Sequence, residues 1–238
     1  MDTIKGKNIL VTGATGGIGS QTVKLLVIGG ANVFITGRNK EKLEQIAIAN
    51  KLPAERIFAA DLSNSAEVAL LKQVYFSAFQ TIDVLVNASG IGIIKPLEQL
   101  SETDFLQSLN SNLLASFLLA KAFLPAMKEV KTGLIINIPG VLGKVPMAGA
   151  AAYSASKYGL VGMMQSIREE LKRTNIRITN LFMGGVDTPF WDAIDLRVQK
   201  DKMIVAEEAA KAIWFLCQQP ESGVVSEMVL QPFNHQAI

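Results

Sequence analysis

The sequence contains little of several residues that catalysis, metal binding and disulfide formation commonly use. Among 238 residues there is one cysteine, Cys217, and one histidine, His235. A lone cysteine cannot form an internal disulfide, which favours a reducing, cytoplasmic environment, and its apolar surroundings (AIWFLC) predict a buried core residue. One histidine near the C-terminus excludes a histidine-rich metal site and argues against serine–histidine–aspartate chemistry, so we expect no metal.

Long apolar runs and an excess of one charge are also missing. The apolar runs stop well short of the about 18 residues that a membrane-spanning helix requires. The opening residues lack the basic and then apolar pattern of a signal peptide. With 23 basic and 21 acidic residues, the net charge of +2 gives no electrostatic basis for binding nucleic acid or a membrane surface. We expect a soluble cytoplasmic protein with neither partner.

Serine and threonine are absent between Asn137 and Tyr153. This gap matters because Tyr153 and Lys157, in YSASK, have the spacing of a tyrosine–lysine acid–base pair on one helix face. A catalytic tyrosine of this kind usually acts beside a hydroxyl that holds the substrate oxygen. The sequence therefore raises the question of what, if anything, replaces that hydroxyl.

Short β-branched runs alternate with longer helical patterns along the chain. Hydrophobic residues make up 49% and charged residues 18%, which predicts a well-packed core. The alternation predicts one domain over residues 1–238: a Rossmann-type, doubly wound α/β fold with a seven-stranded, mainly parallel sheet and helices on both faces. The predicted strands are Asn8–Thr12, Asn32–Thr36, Arg56–Ala60, Asp83–Asn87, Leu134–Ile138, Arg177–Phe182 and Met228–Pro232.

Glycines follow the first predicted strand in VTGATGGIG. Gly13, Gly17 and Gly19 allow a tight turn and let the backbone approach a pyrophosphate at the start of the next helix. Their spacing differs from G-x-G-x-x-G, and a glycine loop by itself equally fits an ordinary turn. Its position between strand and helix favours the nucleotide.

Charged residues follow the second and third strands. Arg38 stands where an acidic residue would bind the ribose of NAD, and a guanidinium there suits the 2′-phosphate of NADP(H). The alternative is an ordinary surface arginine. Asp61 is a candidate for binding the adenine edge; the alternative is that it only caps a helix.

Tyr153 is the candidate general acid. Free tyrosine has a pKa near 10, and we expect the Lys157 ammonium and a positively charged nicotinamide to lower it. Tyr153 would then protonate a carbonyl oxygen as a hydride arrives, or deprotonate an alcohol in the reverse direction.

These motifs together resemble the short-chain dehydrogenase/reductase family over nearly the whole chain. TGATGGIG is similar to the family's TGxxxGIG, NASG to its NNAG, and YSASK to its YxxxK. The resemblance implies an NADP(H)-dependent oxidoreductase with Tyr153, Lys157 and Asn112 as catalytic residues, Asn112 holding a water of the proton relay. It implies that the cofactor contacts Gly13, Thr15, Gly17, Ile18, Gly19, Arg38, Asp61, Leu62, Asn87, Gly90, Tyr153, Lys157, Gly184, Val186 and Thr188.

Partners also follow from the resemblance. The implied substrate is a small neutral or hydrophobic carbonyl or alcohol, in a pocket walled by Leu142, Lys144, Met147, Met183, Phe190 and Trp191. Similar proteins associate through the helix over residues 113–127 and the tyrosine-bearing helix, which implies a homo-oligomer, a tetramer or a dimer. Residues 191–203 are either a lid over the site or a connector.

Three positions depart from the family pattern. The catalytic serine, 13 residues before the tyrosine, is replaced by Gly140, and Pro139 beside it has no amide hydrogen. Ala88 replaces an asparagine, and Met183–Gly184 replaces a proline–glycine pair. Three hypotheses remain: a working reductase in which water or a substrate hydroxyl fills the space at Gly140; an NADP(H)-binding sensor or partner subunit with little turnover; or a non-redox enzyme such as an epimerase.

Overall fold

Seven parallel strands form the central sheet of the protein. A computed structural model describes residues 4–220 and 222–233, so His235 lies outside the described residues. The strand order is β3-β2-β1-β4-β5-β6-β9, and every pair in it is parallel. These strands are β1 (Asn8–Thr12), β2 (Asn32–Gly37), β3 (Ile57–Ala59), β4 (Val84–Asn87), β5 (Thr132–Asn137), β6 (Asn175–Met183) and β9 (Glu227–Leu230). The predicted fold class is confirmed, and the seven predicted strands are the seven strands of this sheet.

Helices cover both faces of the sheet, because most strands are apolar on both sides. One face packs against α1 (Gly17–Ile28), α2 (Lys40–Ala49) and α7 (Ala206–Leu216). The other packs against α3 (Ser65–Ala78), α5 (Ala115–Val130) and α6 (Ala151–Glu170). Two short strands, β7 (Val186–Asp187) and β8 (Ile204–Val205), pair separately. No helix in the described part of the chain is long and apolar enough to cross a membrane.

The helix before β5 has an irregular centre. α4 (Glu102–Leu109) begins with a capping box formed by Ser101 and Asp104. It continues into α5 through a π-helical turn, Asn110–Leu114. Such turns are common at functional sites, and this one contains Asn112.

Candidate active site

A cleft runs along the carboxyl ends of the strands, where ligands of doubly wound sheets bind. It consists of two adjoining cavities of about 230 Å³ and about 310 Å³. Both are lined by the turn after β1 and the loop after β4, which includes Gly90. The smaller cavity extends toward β2 and β3, and the larger one toward β5 and β6.

The turn after β1 depends on three glycines. Gly13 has a φ of +62°, and a β-carbon there would lie 2.6 Å from the carbonyl oxygen of Ala88. A β-carbon on Gly17 would lie 2.5 Å from Cγ2 of Thr188, and one on Gly19 would lie 2.1 Å from the carbonyl oxygen of Gly13. Only glycine at these positions lets the turn pack against Ala88 and Thr188 and remain open toward the cleft at the start of α1. Thr15 and Ile18 also line the cleft.

The smaller cavity brings Arg38, Asp61 and Leu62 together. Arg38 is exposed at the end of β2. The Asp61 carboxylate accepts hydrogen bonds from the hydroxyl of Ser63 at 2.7 Å and from its amide at 2.9 Å, and these bonds hold the pKa of Asp61 below its ordinary value. Oδ1 of Asp61 is therefore already engaged within its own turn.

Lys42 is a cleft residue that sequence reasoning missed. It lines the larger cavity, although it belongs to the first turn of α2. The helix dipole disfavours a cation in a first turn, and this mismatch was the available signal.

Asn87 lies behind the cleft rather than on its surface. Its side chain is buried; Oδ1 accepts a hydrogen bond from Thr12 at 3.3 Å, and Nδ2 donates to Ser116 at 2.8 Å and to Asn137 at 3.3 Å. It is not among the residues that line either cavity. In this structure the Asn87 side chain joins three strands and α5.

Tyr153 and Lys157 meet in the larger cavity, on the first turns of α6. The ammonium of Lys157 lies 5.5 Å from the centre of the Tyr153 ring and donates to the carbonyl oxygen of Ile138 at 3.1 Å. The lysine side chain is buried, with 4% exposure. The pair that the sequence predicts is therefore assembled, and the loop after β5 holds its lysine.

The acidities of the pair differ from the sequence-based expectation. Burial lowers the pKa of Lys157 from 10.5 to about 8. Burial also raises the pKa of Tyr153, whereas the sequence predicts a lowered value. The expected lowering included the charge of a bound nicotinamide, so it stays a prediction for the protein with its cofactor. Tyr153 is thus a neutral hydroxyl at physiological pH, the form that donates a proton.

Asn112 connects the loop after β4 to α6. Its Oδ1 accepts from the amide of Ile91 at 2.9 Å, and its Nδ2 donates to the Ile91 carbonyl at 3.0 Å and to the Ser156 hydroxyl at 2.9 Å. A β-carbon on Gly90 would lie 2.8 Å from this Oδ1 and 3.3 Å from the Lys157 nitrogen. Asn112 therefore sits next to the lysine but does not line the cleft.

Gly140 faces the Tyr153 hydroxyl from the loop after β5. Its φ of +70° and ψ of 169° lie in a region that essentially only glycine occupies. A serine would therefore strain the backbone as it stands, although a β-carbon there meets no atom closer than 3.5 Å. A serine at position 140 would therefore require a different backbone conformation of this loop.

The segment after β6 closes the larger cavity. Gly184, Val186 and Thr188 line it, as predicted, and the Trp191 indole donates to the Val186 carbonyl at 2.9 Å. Phe190 lies 6.1 Å from the Tyr153 ring, centre to centre.

Four of the six predicted wall residues line this cavity: Leu142, Met183, Phe190 and Trp191. Lys144 and Met147 are not among the lining residues. Lys144 instead pairs with the Glu227 carboxylate and covers the Phe182 ring at 4.2 Å.

Comparisons with known proteins agree with this architecture. The family model for short chain dehydrogenases matches residues 7–198. An uncharacterized oxidoreductase of Staphylococcus saprophyticus is 31% identical over 98% of both chains. An alcohol dehydrogenase from the archaeon Thermococcus sibiricus, complexed with 5-hydroxy-NADP, aligns over 98% of both chains with a TM-score of 0.87 and 26% identity. A metagenomic short-chain oxidoreductase in complex with NADP aligns over 97% of this chain and 99% of its own, with a TM-score of 0.81 and 32% identity. The protein thus belongs to the short chain dehydrogenase family of oxidoreductases.

Proposed function

We propose that the protein is an NADP(H)-dependent oxidoreductase that acts on a small neutral or hydrophobic carbonyl compound or the corresponding alcohol. The observation that carries this proposal is the Tyr153–Lys157 pair, at one end of a cleft whose other end has a glycine turn and the exposed guanidinium of Arg38. A bound nicotinamide would supply or accept the hydride. The protein would orient the substrate, exclude water and transfer the proton.

The cleft suits a dinucleotide along its whole length. The pyrophosphate would lie against the turn of Gly13, Gly17 and Gly19, where amide groups at the start of α1 favour an anion. Two solved relatives were determined with NADP-type nucleotides, which supports the same cofactor here. Arg38 supports a 2′-phosphate, and Lys42 adds a second cation within the lining of the cleft.

Proton transfer would proceed from the Tyr153 hydroxyl to the substrate oxygen during reduction. Lys157 would then stabilise the tyrosinate electrostatically, since its ammonium is next to the ring. Asn112 would act as a positioning residue: its hydrogen bonds with Ser156 and Ile91 would hold α6 and the loop after β4 in a fixed relative position. The mostly apolar wall around the tyrosine supports a neutral substrate.

A binding protein with little turnover is the second candidate. The observation that favours it is the backbone of Gly140, which denies the substrate oxygen a serine donor. Removing one such donor costs about 10²–10³ in rate.

The test is NADPH oxidation measured against a panel of ketones, diketones and quinones. We expect at least one to be reduced by the natural protein and by Tyr158→Phe, a control at an exposed tyrosine of the same helix. Tyr153→Phe should abolish turnover and retain NADPH binding. A panel without turnover favours the binding protein, and an active Tyr153→Phe variant overturns the mechanism.

Association is the remaining part of the proposal. Leu114, the last residue of the π-helical turn, is 37% exposed, and Phe117 on α5 is 42% exposed; both lie in the segment through which the resemblance implies association. We expect a homo-oligomer, a tetramer or a dimer, that covers them. Sedimentation as a stable monomer would contradict this.

A further inference from the structure

The structure leaves a small space between Gly140 and the hydroxyl of Tyr153. A β-carbon built on Gly140 would lie 3.5 Å from the carbonyl oxygen of Met183 and 3.8 Å from the Tyr153 hydroxyl. Both are ordinary van der Waals distances, and among the described residues beyond its chain neighbours no other atom lies within 4 Å of it. Gly140, Met183 and Tyr153 line the same cavity of about 310 Å³, so the missing side chain leaves room there for a group of a ligand.

Apart from Tyr153, no hydroxyl of the described residues lies within 4 Å of this β-carbon position. At a φ of +70° and a ψ of 169°, residue 140 cannot be a serine without strain. Pro139 has no amide hydrogen to offer. A substrate with its own hydroxyl would bring a donor to this side of the reacting oxygen.

The surroundings favour a substrate group that carries its own hydrogen. Val141, Leu142 and Phe190 make this side of the cavity apolar, so a polar group without a partner would be costly to bury. The Met183 carbonyl borders the space and is an acceptor. A hydroxyl placed here satisfies that acceptor, whereas a methyl group does not.

We propose that the preferred substrate is a carbonyl compound with a hydroxyl on the adjacent carbon, or a vicinal diol in the reverse direction. The inference rests on the proposed oxidoreductase function and defines its substrate class. The substrate hydroxyl occupies the space beside Gly140 and donates to the Met183 carbonyl in the bound ground state. From there it is within hydrogen-bond reach of the reacting oxygen.

The hydroxyl has an electrostatic role and changes no covalent bond. Hydride addition to the carbonyl carbon moves the π electrons onto the reacting oxygen, which takes its proton from Tyr153. As negative charge develops there, the neighbouring hydroxyl rotates and donates to it. Because this bond strengthens in the transition state, it raises the rate and not only the affinity.

Three ketones with equal numbers of non-hydrogen atoms test the proposal: hydroxyacetone, fluoroacetone and butanone. Fluoroacetone reproduces the electron withdrawal of the hydroxyl without its hydrogen. We expect kcat/KM for hydroxyacetone to exceed that for fluoroacetone and butanone by about 10²-fold or more, the effect of one oxyanion donor. Reduction of either analogue within about tenfold of hydroxyacetone overturns the inference and leaves the proposed function standing. No turnover of any of the three, or of the wider panel, refutes the proposed function and this inference with it.

A pair of glycine variants provides the matched control. Gly140→Ala fills the space with a methyl group, and Gly6→Ala places one at another positive-φ glycine, with φ of +78° and open space around it. We expect Gly140→Ala to lose the preference for hydroxyacetone over fluoroacetone and Gly6→Ala to keep it. This ratio compares two substrates on the same folded molecules, so partial unfolding does not change it. A preference that survives in Gly140→Ala overturns the inference; if that variant does not fold, the three ketones on the natural protein decide.

Discussion

Replacing Lys157 with methionine should stabilise the protein while it removes activity. Lys157 is 4% exposed, and burial lowers its pKa from 10.5 to about 8. At about 1.4 kcal/mol per pKa unit, holding the charged form in the folded state at pH 7 costs about 3 kcal/mol. Methionine has a similar length and no charge, so it removes this cost. It also removes the hydrogen bond to Ile138, worth about 1 kcal/mol, which leaves a net gain of about 2 kcal/mol.

The gain should depend on pH in a defined direction. Between about pH 8 and 10.5 the unfolded chain binds a proton at this lysine that the folded chain has released. The free energy of unfolding of the natural protein therefore rises with pH across that window, and Lys157→Met lacks the rise. We expect the advantage of the variant to shrink by about 2 kcal/mol between pH 7 and pH 9.5.

Urea unfolding of the nucleotide-free protein at a series of pH values measures this. Lys24→Met is the matched control, because Lys24 is an exposed lysine on α1, and we expect a change within about 0.5 kcal/mol at every pH. A Lys157→Met variant that is less stable than the natural protein at pH 7, or whose advantage does not change with pH, would refute the reasoning.

Three further predictions concern Arg38, Gly140 and the Lys144–Glu227 pair. Arg38→Ala should weaken NADPH binding by roughly 10- to 100-fold, because a charge-assisted hydrogen bond to the 2′-phosphate contributes about 1.5–3 kcal/mol. NADH binding should not change, since NADH lacks that phosphate. Titrations that show equal losses for both nucleotides would contradict the 2′-phosphate assignment. Gly140→Ser should lose about 1–3 kcal/mol of stability without gaining activity on butanone, because its backbone angles exclude serine; a large rate gain would contradict this. The hydrogen bond from Lys144 holds the pKa of Glu227 below its ordinary value. The pair therefore stabilises the fold at pH values above the ordinary pKa of a glutamate, and this stabilisation is lost as the pH falls through the lowered pKa. Glu227→Gln should therefore cost less than about 1 kcal/mol at pH 7 and nothing in strong acid, as thermal unfolding would measure, since both partners are partly exposed.

The fold was predictable because the strands are buried on both faces. Continuous apolar runs identified all seven strands of the main sheet, with boundaries that differ by one to two residues at most ends. The two-residue strands β7 and β8 were not predicted, since two residues carry no periodicity. The π-helical turn at Asn112 was missed as well, because its sequence fits an ordinary α-helix.

Sequence motifs predicted the site residues where a motif determines the backbone conformation. They did not predict which partners the side chains contact. The cleft is lined by the glycine turn, Arg38 and the Tyr153–Lys157 pair, as expected. Lys144 pairs with Glu227 instead of lining the cleft. Because Glu227 lies 83 residues further along the chain, no local sequence pattern indicates this contact. The raised pKa of Tyr153 depends on burial, which spacing on a helix does not determine.

The most direct test of the proposed function measures NADPH binding and NADPH consumption on the same preparation. We expect saturable binding, together with consumption that requires hydroxyacetone or another carbonyl compound, and we expect Tyr153→Phe to retain the binding and lose the consumption. Saturable binding without consumption for any carbonyl compound would contradict the account and identify a nucleotide-binding protein. Consumption that persists in Tyr153→Phe would place the proton donor elsewhere.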